Sequence, residues 1–147
     1  GPQPVEWTIS RFESWIRDLD ILDTQFTRVV VRQSFARSKP FLVDSRQGTF
    51  RLLTLGWLDF LEAMVRLADS KRLPGPTELK ERGCSDAAEF YDSLSKDGES
   101  WDDWLSMISN SVLEGEDEER NDSSHADFSW NLKQFLCLVY ARSIAVA

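Results

Sequence analysis

The chain predicts an all-α domain of six to eight helices, with room for one tiny two-stranded bridge. Three observations carry this expectation. Apolar side chains recur every three or four positions in one stretch after another, the period of a helix with one buried face. Serine, threonine or aspartate stands where these stretches begin, able to accept the unpaired backbone N–H groups of a first turn. Proline and glycine fall between the stretches, above all at Pro74-Gly75-Pro76, where a helix must stop.

The first helix is expected over 10–19. Ser10 and Glu13 have capping-box spacing, and Ile9, Phe12, Trp15, Ile16 and Leu19 make one stripe. A second should run over 23–37, burying Phe26, Val29, Val30 and Phe35. The run Val29-Val30-Val31 would also suit a strand, but its flanks lack turn signals. Pro40 ends this element, Asp44 to Gly48 reads as a turn, and 49–53 as a short extended piece. The strongest helix is expected over 55–70 with Thr54 as its cap. Its apolar side holds Leu58, Leu61, Met64, Val65 and Ala68, and Phe60 and Leu67 widen it, a width that implies several neighbours. A short turn over 77–82 is stopped by Gly83, and a helix opening at Ser85 ends at Lys96-Asp97-Gly98. Ser100 and Asp103 resemble a capping pair for a helix over 101–113. Residues 114–125 carry no apolar side chain and predict a solvated, mobile loop. Ser129 should cap the last helix, with Trp130, Phe135, Leu136, Val139 and Tyr140 inward and an apolar tail over 144–147.

The whole is read as one interaction domain over 1–147. Residues 1–9 form a lead-in whose Gly1-Pro2 has the look of a stub left by tag removal. Residues 10–73 make a first helical half, and 77–147 a second that includes the acidic loop 114–127. With 41% hydrophobic and 12% aromatic residues, a well-stocked core is expected and wholesale disorder is not. A net charge of −8 is ill suited to neutralising phosphates, so nucleic acid is excluded as a partner and a basic protein segment is favoured. Solubility alone is the competing account of that charge. No apolar run is long enough to cross a membrane. Cys84 and Cys137 make no disulfide framework and have no metal-ligand spacing, so a reducing, cytoplasmic setting is expected.

The two strongest helices begin alike. Leu53-Thr54-Leu55-Gly56-Trp57 and Phe128-Ser129-Trp130-Asn131-Leu132 each set an apolar residue before a hydroxyl, and Phe60-Leu61 and Phe135-Leu136 follow six positions on. This suggests two helix–loop–helix units, over 23–70 and 100–145, although a chance echo within a helix bundle would look the same. Aligned as EF-hand loops, Leu53 and Phe128 take position 8, whose residues pair across a short bridge. The ligand positions are then Arg46, Gly48, Phe50 and Trp57, and Asn121, Ser123, His125 and Leu132. These cannot give calcium its six to eight oxygens.

The stretch Val31-Arg32-Gln33-Ser34-Phe35-Ala36-Arg37-Ser38, with Leu53 to Ala68 (LTLGWLDFLEAMVRLA), resembles EF-hand-like, calcium-free helical modules of ciliary and flagellar cytoskeletal proteins. The resemblance spans about forty residues and is a helix pattern, not a catalytic signature. It implies two degenerate EF-hand-like units and a scaffold or adaptor role in a microtubule-based structure.

Little in the chain suggests catalysis. His125 is the single histidine and falls in the acidic loop. Cys84 has no histidine at hand as a base, and no nucleotide-binding or nucleophile-elbow motif occurs. No enzyme activity and no cofactor are therefore expected. A binding role has more to draw on. Trp101 and Trp104 share one helix face among Asp102 and Asp103, a pattern suited to gripping a basic or amphipathic helix. Phe60 and Met64 offer a second groove floor. For each of these side chains taken singly, core packing is the favoured reading. The rival functions are a calcium-responsive sensor using loop 114–127 and a fragment of an enzyme whose site needs residues outside the chain.

Overall fold

A computed structural model describes residues 6–39, 54–113 and 127–146. Among these residues it is predominantly helical, with seven helices and one two-stranded sheet. The chain divides into two compact units, Gly1–Lys71 and Arg72–Ala147, so the division falls beside Pro74-Gly75-Pro76.

The first unit holds strand β1 (Trp7–Thr8), helix α1 (Ile9–Asp18), helix α2 (Arg28–Arg37), strand β2 (Thr54–Leu55) and helix α3 (Trp57–Ser70). The two strands pair antiparallel, Trp7 opposite Leu55 and Thr8 opposite Thr54. α2 packs against both α1 and α3. Phe12, Ile16, Leu19, Ile21, Phe26, Val31, Phe35, Leu55, Met64 and Leu67 are buried. At burial worth roughly 1.5–3 kcal/mol per large apolar side chain, this set is what holds the three helices together.

Most helix starts differ from expectation by a residue or two, and that of α2 by five, for a common reason: the side chain best placed to organise the first turn is not the expected one. α1 is capped by Thr8, whose Oγ1 accepts the Arg11 N–H at 3.3 Å, which leaves Glu13 free for another partner. α3 is preceded by Gly56, and Asp59 Oδ2 accepts the Gly56 N–H at 3.0 Å; Thr54 lies in β2 instead. Residues 23–27 are not helical, because Asp23 Oδ1 accepts the N–H groups of Gln25 (2.8 Å) and Phe26 (2.6 Å) and closes a turn. Val29-Val30-Val31 is helical, not extended.

The second unit holds α4 (Pro76–Arg82), α5 (Ala87–Lys96), α6 (Trp101–Leu113) and α7 (Phe128–Val146). Pro76 opens α4 where a missing N–H costs nothing, and Gly83 closes it at φ +67°, a conformation that suits glycine. Asp86, not Ser85, caps α5. Ser100 and Asp103 form the expected reciprocal pair at the start of α6, Ser100 Oγ accepting the Asp103 N–H (3.1 Å) and Asp103 Oδ2 accepting the Ser100 N–H (3.2 Å). α7 begins one residue before Ser129 and runs on through Val146, so the apolar tail is part of the helix. It packs chiefly on α5, and buried Gln134 carries its Oε1 to the Ala87 N–H at 2.8 Å.

The two units expected over 23–70 and 100–145 were to meet through Leu53 and Phe128. Phe128 lies at the start of α7, and β2 pairs with Trp7–Thr8 instead. Leu53, the turn and extended piece at 44–53, Arg46, Gly48, Phe50, Asn121, Ser123, His125 and loop 114–126 lie outside the described residues.

Candidate interaction surface

Trp101 and Trp104 are both buried, their rings packed on each other and on Phe90 and Tyr91. They hold α6 against α5 and are not exposed anchors. Asp102 and Asp103 face solvent. The Ser100 hydroxyl, with the Ser100 N–H, holds the Asp103 carboxyl below its ordinary range, as expected of a helix-capping carboxylate. Met64 is buried, and half-buried Phe60 sits in an aromatic cluster with Trp7, Phe12, Trp15 and Trp57. None of these four aromatic and sulfur side chains is presented outward as a groove floor.

The exposed apolar surface lies elsewhere. On α3, Trp57 is 71% exposed, Leu58 77%, Leu61 41% and Val65 36%. At 100° per residue these four fall within one arc of about 100°, which adjoins the buried arc of Ala63, Met64 and Leu67, and the small buried side chain of Ala68 lies between Trp57 and Leu61. Leu58, Leu61 and Val65 were expected inside. The width of the apolar arc was the available signal: it exceeds what the packed neighbours cover, and the remainder faces water. Glu62 and Asp69 edge the stripe, Glu62 bonding Arg66 at 2.7 Å. Helix α7 repeats the theme, since Leu136 and Tyr140, expected inside, are exposed with Ile144 at i, i+4, i+8 spacing.

Charge is divided unevenly. Residues 1–71 hold 10 basic and 9 acidic side chains, whereas 72–147 hold 7 and 16, giving +1 and −9 for the two units. The acidity of the chain therefore belongs to its second unit.

Several buried and half-buried charged groups pair with one another. Glu13 is buried beneath Arg28 and Arg32 of α2, with Arg32 Nε at 2.6 Å and Arg28 Nε also bonded to the carboxylate. The Arg32 hydrogen bond outweighs burial and, with Arg28, holds the Glu13 carboxyl below its ordinary range. Asp23 and Lys71 form a fully buried pair at 2.7 Å, and Lys71 Nζ also donates to the Ile21 carbonyl at 2.8 Å and lies over the Phe26 ring. Burial pushes the Asp23 carboxyl up, but the Lys71 ammonium and the turn N–H groups prevail and hold it low. Arg82 spans to Asp97 (3.0 Å) and Glu99 (2.7 Å) beside a recess of about 380 Å³ that half-buried Cys84 also lines. Among the described residues no three His, Cys, Asp or Glu side chains gather as metal ligands, and no helix is long and apolar enough to cross a membrane.

Compared with protein families, curated proteins and solved structures, the chain matches none of them.

Proposed function

We propose that this domain is a scaffold or adaptor that binds a helical or basic segment of another protein, and that it is not an enzyme. The observation that carries this reading is the exposed stripe Trp57, Leu58, Leu61 and Val65 on α3. Exposed apolar side chains scattered singly are ordinary, but a contiguous helix face of this kind marks a surface that another molecule covers. Recognition of an amphipathic helix uses such a face, with flanking charge selecting the partner. The −9 charge of the second unit would steer a basic partner toward the chain.

The EF-hand-like part of the reading has support in β1 and β2, which pair antiparallel and each lead straight into a helix. The placement in a cytoskeletal, ciliary or flagellar assembly of the cytoplasm rests on the resemblance carried by residues 31–38 and 53–68.

The test is a titration with a synthetic amphipathic Leu/Lys helical peptide, followed by tryptophan emission in calcium and again in EDTA. The expected result is a blue shift in both buffers that weakens with added salt and is lost in Trp57→Phe. No change at millimolar peptide would sink the adaptor reading. A melting midpoint raised several degrees by calcium would replace it with the sensor, because a ligand of the folded state stabilises by mass action.

A further inference from the structure

The first unit contains a repeat in which Trp7 and Leu55, partners across the bridge, are equivalent positions 48 residues apart. In both copies the next residue precedes the helix (Thr8, Gly56) and the one after begins it (Ile9, Trp57). The same two positions, the residue before the helix and the third residue within it, are joined by a capping bond in each copy: Thr8 accepts from Arg11, and Asp59 accepts from Gly56. Phe12 and Phe60 are equivalent and meet edge to face, their centroids 6.2 Å apart. Ile16 and Met64, and Leu19 and Leu67, are equivalent and buried. An antiparallel pair is locally twofold, so the bridge exchanges α1 with α3.

α2 breaks that symmetry. Its Arg28 and Arg32, one turn apart, close over Glu13 of α1, which is thereby buried. The counterpart of Glu13 on α3 is Leu61, and among the described residues no helix closes over it. A carboxylate is thus covered where its apolar counterpart lies bare. Hydration favours the opposite arrangement, so the bare site is matched to a cover.

We propose that the α3 stripe is the seat for a helix of another protein, laid in the place related to α2 by the twofold of the bridge. That helix presents apolar side chains one turn apart where α2 presents Arg28 and Arg32. It carries Lys or Arg beside them, toward Asp69 and Glu62, since α3 holds three acids and one arginine, although Asp59 caps Gly56 and Glu62 Oε1 already accepts from Arg66. A second copy of the same stripe fits poorly, because two antiparallel α3 helices centred on Leu61 bring Glu62 near Glu62. The seat rests on the adaptor reading and gives it a location and a partner geometry.

The test is a specificity swap on the whole chain. Two helical Ala/Lys peptides are compared, one with Leu at i and i+4 and the other with Arg at both places, against wild type and Leu61→Glu. Amide chemical shifts report where each binds. The wild type should take the Leu peptide with shifts over 57–69. Leu61→Glu should lose about tenfold or more for it, at 1.4 kcal/mol per decade, and should gain affinity for the Arg peptide. Leu61 is exposed enough for the variant to keep the wild-type spectrum elsewhere, which verifies folding in the same experiment. Leu-peptide shifts confined to α7 and indifferent to Leu61→Glu would overturn the seat while leaving the adaptor reading intact. Absence of binding by either peptide would sink both. A wild type that self-associates and is made monomeric by Leu61→Glu would assign the face to a second copy and also overturn the seat.

Discussion

Lys71 and Asp23 show what a single residue can decide in this chain. The side chains of both are buried, and each satisfies the other together with the Ile21 carbonyl and two turn N–H groups. Taking away one partner strands a buried charge, so Asp23→Asn should cost about 3–5 kcal/mol in urea unfolding. Replacing both with apolar residues (Asp23→Leu with Lys71→Met) should cost less than Asp23→Asn alone; a larger loss in the double variant would contradict this assignment. The pH dependence has a definite sign. The folded Asp23 and Glu13 carboxyls are held below their ordinary values, so their contribution is complete above the usual carboxylate range. It is lost as pH falls below about 4 toward the folded values. Glu13→Gln should therefore flatten the acid limb of a stability–pH curve, measured by thermal melts between roughly pH 2 and 6. Neither pair was legible in the sequence. Glu13 stands at capping distance from Ser10 and was expected there, but Thr8 already serves the first turn and two arginines on the next helix compete better for the carboxylate. Asp23 and Lys71 lie in different elements, and periodicity says nothing about which charges are brought inside.

At the scale of elements the sequence read well for existence and poorly for facing. Helix α6 has its expected bounds because Ser100 and Asp103 cap it locally, and α4 stops at Gly83 because its left-handed backbone conformation is a local property too. Which side of α3 and α7 is buried depends on neighbours distant in sequence, so Leu58, Leu61, Leu136 and Tyr140 were placed inside and are exposed. Trp101 and Trp104 were offered as anchors because of their acidic neighbours, but core packing was the favoured fate of each ring singly, and Phe90 and Tyr91 do complete a core around them. The seam between α5 and α7 offers a sharp test. Gln134 is buried and its carbonyl accepts the Ala87 N–H in the first turn of α5. Gln134→Leu fills similar volume but leaves that N–H without an acceptor, and should cost about 1–3 kcal/mol. Chemical denaturation checks the cost, and a loss below about 0.5 kcal/mol would mean that another acceptor replaces the amide. On α3 the contrast should be plain: Leu58→Gln removes exposed surface only and should shift stability by less than about 0.5 kcal/mol.

For the whole molecule, the two units differ in how their charges are balanced. The resemblance between the starts of α3 and α7 directed the sequence reading to a repeat spanning both units. The strand pairing points to a different correspondence, within the first unit, between residues 7–19 and 55–67. It was hidden because the two copies share a pattern of burial and capping and almost no residue identities. Nor did the overall charge of −8 reveal that nearly balanced charges in one unit accompany −9 in the other. That division predicts different responses to salt in the two units. Like charges in the second unit repel, and raising ionic strength from about 0.02 to 0.2 M shortens the screening length from over 20 Å to under 10 Å. Amides of α5 and α7 should therefore become better protected from hydrogen exchange, by roughly 1 kcal/mol or less in opening free energy. Amides of α1 and α3 should change little, because the pair between Asp23 and Lys71 is buried beyond the reach of counterions and the remaining charge is almost neutral. The attraction of Arg82 for Asp97 and Glu99 works against this trend, since those groups are partly exposed and salt weakens them. Protection of α5 that falls with salt would show that these local pairs, and not the net charge, govern the second unit.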